Sequence, residues 1–107
     1  MLTVSPVDLA AWLADAARES PVLLDVREAW EFELCHIEGA RWIPMGEIPA
    51  RACEMDLSQE IVVICHHGVR SAQVVCFLEN QGFEHVINLA GGMAGWAAQV
   101  DPSMAQY

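Results

Sequence analysis

Cys65 stands at a junction that favours nucleophilic chemistry. It directly follows the apolar run 61–64, and the polar residues 66–70 after it form a segment too short to be an element of its own. Residues 71–81 show helical spacing of apolar side chains. In a strand–Cys–loop–helix arrangement, the backbone N–H groups of residues 66–71 curl around the sulfur, and the helix N-terminus adds its positive dipole end. Both favour an anion, so we expect a lowered pKa for Cys65 and more thiolate than a free cysteine carries.

Other residues near this junction bear on the chemistry of an anionic sulfur. Gly68 can adopt backbone conformations that let the loop close tightly. Arg70 is the only full positive charge between residues 61 and 78. Two duties suit it equally well: orienting an anionic substrate, or forming a structural pair with a carboxylate such as Asp25 at the end of a predicted strand.

The remaining thiols and the two adjacent histidines have simpler interpretations. Cys35, Cys53 and Cys76 are expected to be small buried hydrophobes, an alternative that also exists for Cys65 but is disfavoured by its polar loop. No CxxC pair occurs, and neighbouring residues of one loop seldom direct three side chains at one ion, so no metal site is expected. We expect His66 and His67 to line the mouth of the loop and, partly protonated near pH 6.5, to attract an anion.

These residues need a scaffold in which strands and helices alternate. Ser5, Pro6 and Asp8 predict a helix start, and strands are predicted at 22–26, 41–43, 61–64 and 86–89. Helices are predicted at about 27–34, 71–81 and 93–100, and the four tryptophans are expected mainly in the core or in helix packing. The pattern favours an α/β domain with a mainly parallel sheet and helices on both faces. In such sheets the working site lies beyond the carboxyl ends of the strands, where Cys65 and Asp25 are placed.

Length and charge limit the classes of function. The 107 residues are enough for one domain, and 54% of them are apolar. Five Arg and 15 acidic residues give a net charge of -10, which repels nucleic acid and anionic membranes. No secretory signal or apolar span is apparent, so we expect a cytoplasmic protein with reduced thiols. Residues 1–60 hold 12 of the 15 acids, whereas residues 61–78 hold none. The acidic body therefore suits a basic protein partner, and the loop remains open to a small anion.

Four segments in order resemble a single-domain rhodanese of the thiosulfate sulfurtransferase family. They are VLLDVRE at 22–28, HIEGA at 36–40, CHHGVRS at 65–71 and LAGGMAGW at 89–96. The resemblance implies a single rhodanese-like domain over 1–107, with a core at about 4–97 and a short tail at 98–107 that either packs back or frays. It also implies a sheet of about five strands. Cys65 is implied as the catalytic nucleophile, with a substrate-binding loop of His66, His67, Gly68, Val69, Arg70 and Ser71 and with Asp25 and Arg27 supporting its geometry.

The resemblance further implies a double displacement without metal or organic cofactor. The Cys65 thiolate takes the outer sulfur of thiosulfate or a persulfide donor, and a thiol or sulfur-carrier protein removes it from the resulting persulfide. One alternative is a non-catalytic or partner-dependent sulfur-carrier module. A small Cys-dependent phosphatase is disfavoured, because only four residues separate Cys65 from Arg70 and the tighter ring suits one sulfur atom.

Overall fold

Short strands and helices alternate along the whole chain, and the computed structural model describes residues 1–107. The strands are β1 (Leu2–Val4), β2 (Val22–Asp25), β3 (Arg41–Trp42), β4 (Glu60–Ile64) and β5 (His85–Leu89). The α-helices are α1 (Pro6–Ala14), α2 (Ala29–Leu34), α3 (Ile48–Arg51), α4 (Val69–Asn80) and α5 (Gly92–Gln99). Two 3₁₀ turns, Met45–Glu47 and Ala52–Glu54, flank α3. No helix combines the length and the apolar character that crossing a bilayer requires.

All five strands pair in parallel in the order β1-β5-β4-β2-β3, which confirms the predicted α/β fold. The edge strand β1 was missed by the sequence prediction, because three residues with little burial give no alternation to detect. It extends the sheet by pairing Leu2 with Ile87 in register.

The central strand β4 divides the core into two layers. Ile61, Val63 and Cys65 face one cluster, whereas Val62 and Ile64 face the other. This alternation is the two-residue period of a strand, with both faces covered by helices. The first cluster includes residues of α3 and α4, and the second includes residues of α1 and α5.

Local signals located most elements, with some corrections. Ser5 caps α1 by accepting a hydrogen bond from the Asp8 N–H at 3.1 Å, as predicted. The helix α4 begins at Val69, two residues before its predicted start, because Gly68 caps it with a φ of +100°. Trp30 of α2 is 55% exposed and lies outside the core, with its ring packed edge-on against Tyr107.

The tail packs back on the domain. Met104 packs against the second cluster, and the Tyr107 side chain joins hydrogen bonds and ring contacts near the carboxyl ends of the strands. Thus one end of the sheet gathers Cys65, Asp25 and the end of the tail.

Candidate active site

The loop after β4 surrounds the Cys65 sulfur with backbone donors. Cys65 is 1% exposed, and its Sγ accepts a hydrogen bond from the Gly68 N–H at 3.0 Å. Because α4 already begins at Val69, the last loop residues are also the first turn of that helix, whose N–H groups have no partner within the helix. The Ser71 hydroxyl lies 3.3 Å from the sulfur and is fully buried. The Cys65 sulfur is therefore contacted by both Gly68 and Ser71 of the predicted loop.

The start of α5 donates hydrogen bonds to two carbonyls of the loop. The Met93 N–H donates to the Cys65 carbonyl at 2.8 Å, and the Ala94 N–H donates to the His66 carbonyl at 3.0 Å. Gly92 makes this approach sterically feasible: a Cβ there would lie 2.3 Å from the Cys65 carbonyl oxygen, and its φ is +56°. With these carbonyls held by α5, the N–H groups of the loop are left to face the sulfur.

The surroundings of Cys65 lower its pKa, as expected from the sequence. Burial alone would raise it, since a thiolate loses solvation in the interior. Hydrogen bonds that the thiolate accepts from the Ser71 hydroxyl and from the N–H groups of Ser71, Gly68 and His67 outweigh that penalty. The thiol is therefore set toward the nucleophilic form.

Arg70 pairs with Glu31 and not with Asp25, which corrects the carboxylate suggested from the sequence. Its two terminal nitrogens donate to the two carboxylate oxygens at 2.6 and 2.8 Å. Glu31 is almost fully buried, whereas the Arg70 side chain is 35% exposed. The Arg70 hydrogen bond is the main reason that the pKa of Glu31 falls to about 2. The charge of the loop cation is consequently offset where it meets the site.

Asp25 and Arg27 form a second, fully buried ion pair at the end of β2. The Arg27 Nη2 donates to the Asp25 carboxylate at 2.7 Å and to the Cys35 carbonyl at 2.6 Å. Neither side chain hydrogen-bonds to residues 65–71. Their contacts are instead with the β2–α2 connection and with the tail, because Arg27 Nη1 also donates to the Tyr107 hydroxyl at 2.9 Å.

The two histidines of the loop differ in their surroundings. His67 is exposed, whereas His66 stacks on Tyr107 with ring centroids 3.9 Å apart. Burial is the first cause of a lowered pKa at His66, with the neighbouring His67 second. His66 thus carries less positive charge than expected from the sequence. No group of three or more His, Cys, Asp or Glu side chains is placed to hold a metal ion anywhere in the chain.

The other loop and cysteine predictions have mixed outcomes. Val69 is 68% exposed and presents an apolar side chain to solvent. Cys35 is partly buried, but Cys53 and Cys76 are exposed, so the expectation that they are buried hydrophobes is wrong for these two.

Three residues of the site were missed from the sequence. Glu31 forms a reciprocal cap with Glu28 at the start of α2, and the three-residue spacing of the two acids was the available signal. Asn88 is a buried polar residue within a predicted apolar strand, and its polar side chain at such a position was the available signal. Tyr107 lies in an aperiodic tail and offered no signal.

Comparisons of the sequence with known proteins show its family. The family described as "Rhodanese-like domain" matches residues 8–99. The chain is 43% identical over 83 residues to YrkF of Bacillus subtilis, named as a candidate sulfur carrier protein; the match covers 78% of this chain and 45% of YrkF. It is 33% identical over 89 residues to the thiosulfate sulfurtransferase GlpE of Actinobacillus succinogenes, covering 83% and 80% of the two chains. The chain spans less than half the length of the first of these relatives.

A solved structure shows the same architecture. The rhodanese-like domain protein of Staphylococcus aureus has a TM-score of 0.84 and 31% sequence identity, covering 90% of this chain and 91% of the other.

Proposed function

This chain belongs to the rhodanese-like domain family, and we propose that it is a sulfurtransferase that carries sulfane sulfur as a persulfide on Cys65. The observation that carries the proposal is the buried Cys65 sulfur, hydrogen-bonded by the Gly68 N–H at 3.0 Å within a loop of backbone donors. The same donors stabilise negative charge on sulfur before and after transfer. Names of relatives such as GlpE support this activity class.

The reaction proceeds in two displacements that balance without an external oxidant or reductant. In the first, the Cys65 thiolate attacks the outer sulfur of thiosulfate. The bond between the two thiosulfate sulfurs breaks, sulfite leaves with its electron pair, and Cys65 holds a persulfide. In the second, an acceptor thiolate attacks the outer persulfide sulfur and restores the Cys65 thiolate. Since neither step needs a Lewis acid or an electron carrier, we propose that no metal or organic cofactor takes part.

A second candidate function is a sulfur carrier that is loaded by a partner and does not turn over thiosulfate efficiently. The Arg70–Glu31 pair favours it, because the loop cation is already neutralised by a buried carboxylate. The lowered pKa of His66 removes further positive charge from the mouth. A thiol or a carrier protein would then be the acceptor, and the acidic residues 1–60 suit a basic carrier. We place this chemistry in the cytoplasm, where thiols stay reduced.

Intact-mass measurement of sulfur loading tests both candidates. The wild-type protein and Cys65→Ser are incubated separately with thiosulfate and with glutathione persulfide, followed by cyanide. The sulfurtransferase predicts one added sulfur atom from thiosulfate, removed by cyanide and absent in Cys65→Ser. The carrier predicts negligible loading from thiosulfate and rapid loading from the persulfide. No loading from either donor, or equal loading of Cys65→Ser, would refute the persulfide on Cys65.

A further inference from the structure

A continuous chain of hydrogen bonds runs from the Cys65 sulfur into β5. The Ser71 Oγ lies 3.3 Å from the sulfur and 2.5 Å from the Asn88 Oδ1. The Asn88 Nδ2 in turn donates to the Gly68 carbonyl at 3.1 Å, so the chain returns to the loop that surrounds the sulfur. Ser71 is fully buried and Asn88 is 7% exposed, so water does not compete freely for these groups.

The donor or acceptor character of each group determines which atom donates in each of these hydrogen bonds. The Gly68 carbonyl can only accept, so the amide nitrogen of Asn88 must face it and the amide oxygen must face Ser71. If the side-chain amide were flipped, the Asn88 oxygen would face the Gly68 carbonyl oxygen, and neither oxygen has a proton to donate. The Ser71 hydroxyl has one proton, and the Asn88 oxygen takes it. Towards Cys65, the Ser71 oxygen is therefore left as an acceptor.

We propose that Asn88 is a positioning residue that acts through Ser71, holding the hydroxyl proton of Ser71 so that resting Cys65 donates its thiol proton to the Ser71 oxygen. This inference goes beyond sulfur transfer, since it concerns the protonation of the unloaded protein. The loop N–H groups still favour the thiolate. The Ser71 hydroxyl also stabilises the thiolate, but only when it rotates its proton away from the Asn88 oxygen.

Activation of the nucleophile then has two coupled parts. The Cys65 proton leaves to water, and the Ser71 O–H rotates from the Asn88 oxygen to the thiolate. No bond between heavy atoms forms or breaks, and one proton is released. Asn88 thus opposes thiolate formation in the resting protein while its amide nitrogen keeps the Gly68 carbonyl in place.

Other charges around the sulfur are few. Arg70, which interacts electrostatically with Cys65, is held by Glu31, and His66 and His67 lie in the same loop. The helix α5, which packs against the loop, contains no titratable side chain. Substituting Asn88 removes none of these charged or titratable groups, so a change in the pKa of Cys65 cannot come from the loss of one of them.

The pKa of Cys65 in two Asn88 variants tests the proposal on full-length protein without any sulfur donor. It is measured from the thiolate absorbance at 240 nm and from the pH dependence of alkylation at Cys65, resolved from the other cysteines by peptide mass. Asn88→Leu removes the acceptor for the Ser71 proton, and we expect the pKa of Cys65 to fall by about one unit, the size of one neutral hydrogen bond. Asn88→Asp supplies a stronger acceptor and a nearby negative charge, and the pKa is expected to rise.

A double variant separates positioning from a general loosening of the loop. In a Ser71→Ala background, Asn88→Leu should no longer lower the pKa of Cys65, since the link between the two residues is gone. The proposal is overturned if Asn88→Leu raises the pKa or leaves it unchanged, or if its full effect persists without the Ser71 hydroxyl. Should Asn88→Leu fail to fold, a fall in the pKa of Asn88→Asp overturns it equally. These pKa measurements do not depend on whether Cys65 accepts sulfur, so they test the role of Asn88 separately from the proposed function.

Discussion

Glu31 holds Arg70 through two hydrogen bonds, 2.6 and 2.8 Å long, that join the carboxylate of α2 to the guanidinium of the active-site loop. The carboxylate is almost entirely buried, and it also accepts from the N–H of Glu28 and from the Tyr107 hydroxyl. Glu31 therefore joins the start of α2, the loop and the tail. It also offsets the positive charge of Arg70.

Replacing Glu31 with Gln should improve the binding of thiosulfate. Gln keeps the size and one oxygen acceptor but leaves the Arg70 charge uncompensated, so KM for thiosulfate should fall by up to about tenfold, as for gaining one charged hydrogen bond. Steady-state kinetics with cyanide as acceptor would measure it. Glu54→Gln is the control, because it removes the same charge from an exposed cluster with Arg41 and Arg51. An unchanged KM in Glu31→Gln would show that Arg70 does not bind the donor.

The same pair should make the domain sensitive to acid. The pKa of Glu31 is lowered to about 2, from a model-compound value of 4.5, mainly by the Arg70 hydrogen bond. Stability from a lowered carboxylate pKa is fully present above about pH 4.5 and is lost as the pH falls toward about 2. We expect a loss of about 2–3 kcal/mol from this group, reduced by the solvent exposure of Arg70.

Urea unfolding between pH 7 and pH 2 measures this loss. The Glu31→Gln protein should lack this part of the pH dependence and be less stable than wild type at pH 7. Parallel curves for the two proteins across the range would contradict the assignment.

Gly92→Ala should disrupt the cradle. The new Cβ would lie 2.3 Å from the Cys65 carbonyl oxygen and 2.6 Å from the His66 carbonyl, on a backbone with φ of +56°. The free energy of unfolding should fall by about 3 kcal/mol or more, and Cys65 should lose most of its sulfur loading. Gly82→Ala is a matched control: it shares a positive φ, +95°, but its Cβ has nothing within 4 Å. It should cost about 1 kcal/mol and leave loading intact.

Chemical denaturation and intact mass would compare the two glycine variants. Equal effects of the two substitutions would mean that backbone strain alone, and not contact with the loop carbonyls, explains the cost at Gly92.

Tyr107 provides a direct optical measurement of how the tail packs. It is the only tyrosine of the chain, so absorbance at 295 nm follows its ionisation alone. Burial is the first cause that raises the pKa of Tyr107 to about 12, while the Arg27 hydrogen bond works against that shift. The titration midpoint should be about 12 in the folded protein and about 10 in urea. Because the folded pKa is the higher one, this group stabilises the fold up to about pH 10 and loses that contribution as the pH rises further.

Circular dichroism recorded in parallel confirms that the protein is folded at each pH. A midpoint near 10 in the folded state would show that the tail does not hold Tyr107 against Arg27 and Glu31. Tyr107→Phe keeps the ring stacked on His66 and removes the hydroxyl, so it should cost about 1 kcal/mol.

Local patterns in the sequence were sufficient to predict the fold class and the position of Cys65 at the end of a buried strand. A β-branched run followed by Cys65, a short polar loop and a helix predicts a thiol at the carboxyl end of a parallel strand. The N-cap of α1 at Ser5 was also predictable from the sequence, since capping depends on residues only three positions apart. These features arise from hydrogen bonding and periodicity within one element, which neighbouring residues determine.

The partners of the charged and polar groups were decided only by the tertiary structure. Arg70 meets Glu31 across 39 residues of sequence, and Tyr107 meets Glu31 across 76. The sequence offered Asp25 as the partner of Arg70, but that carboxylate is enclosed by Arg27 at the end of β2. The strand order β1-β5-β4-β2-β3 and the packing of α2 and the tail determine which cation reaches which carboxylate. The type and spacing of residues do not predict which distant side chains pair, because that pairing depends on how whole helices and strands pack.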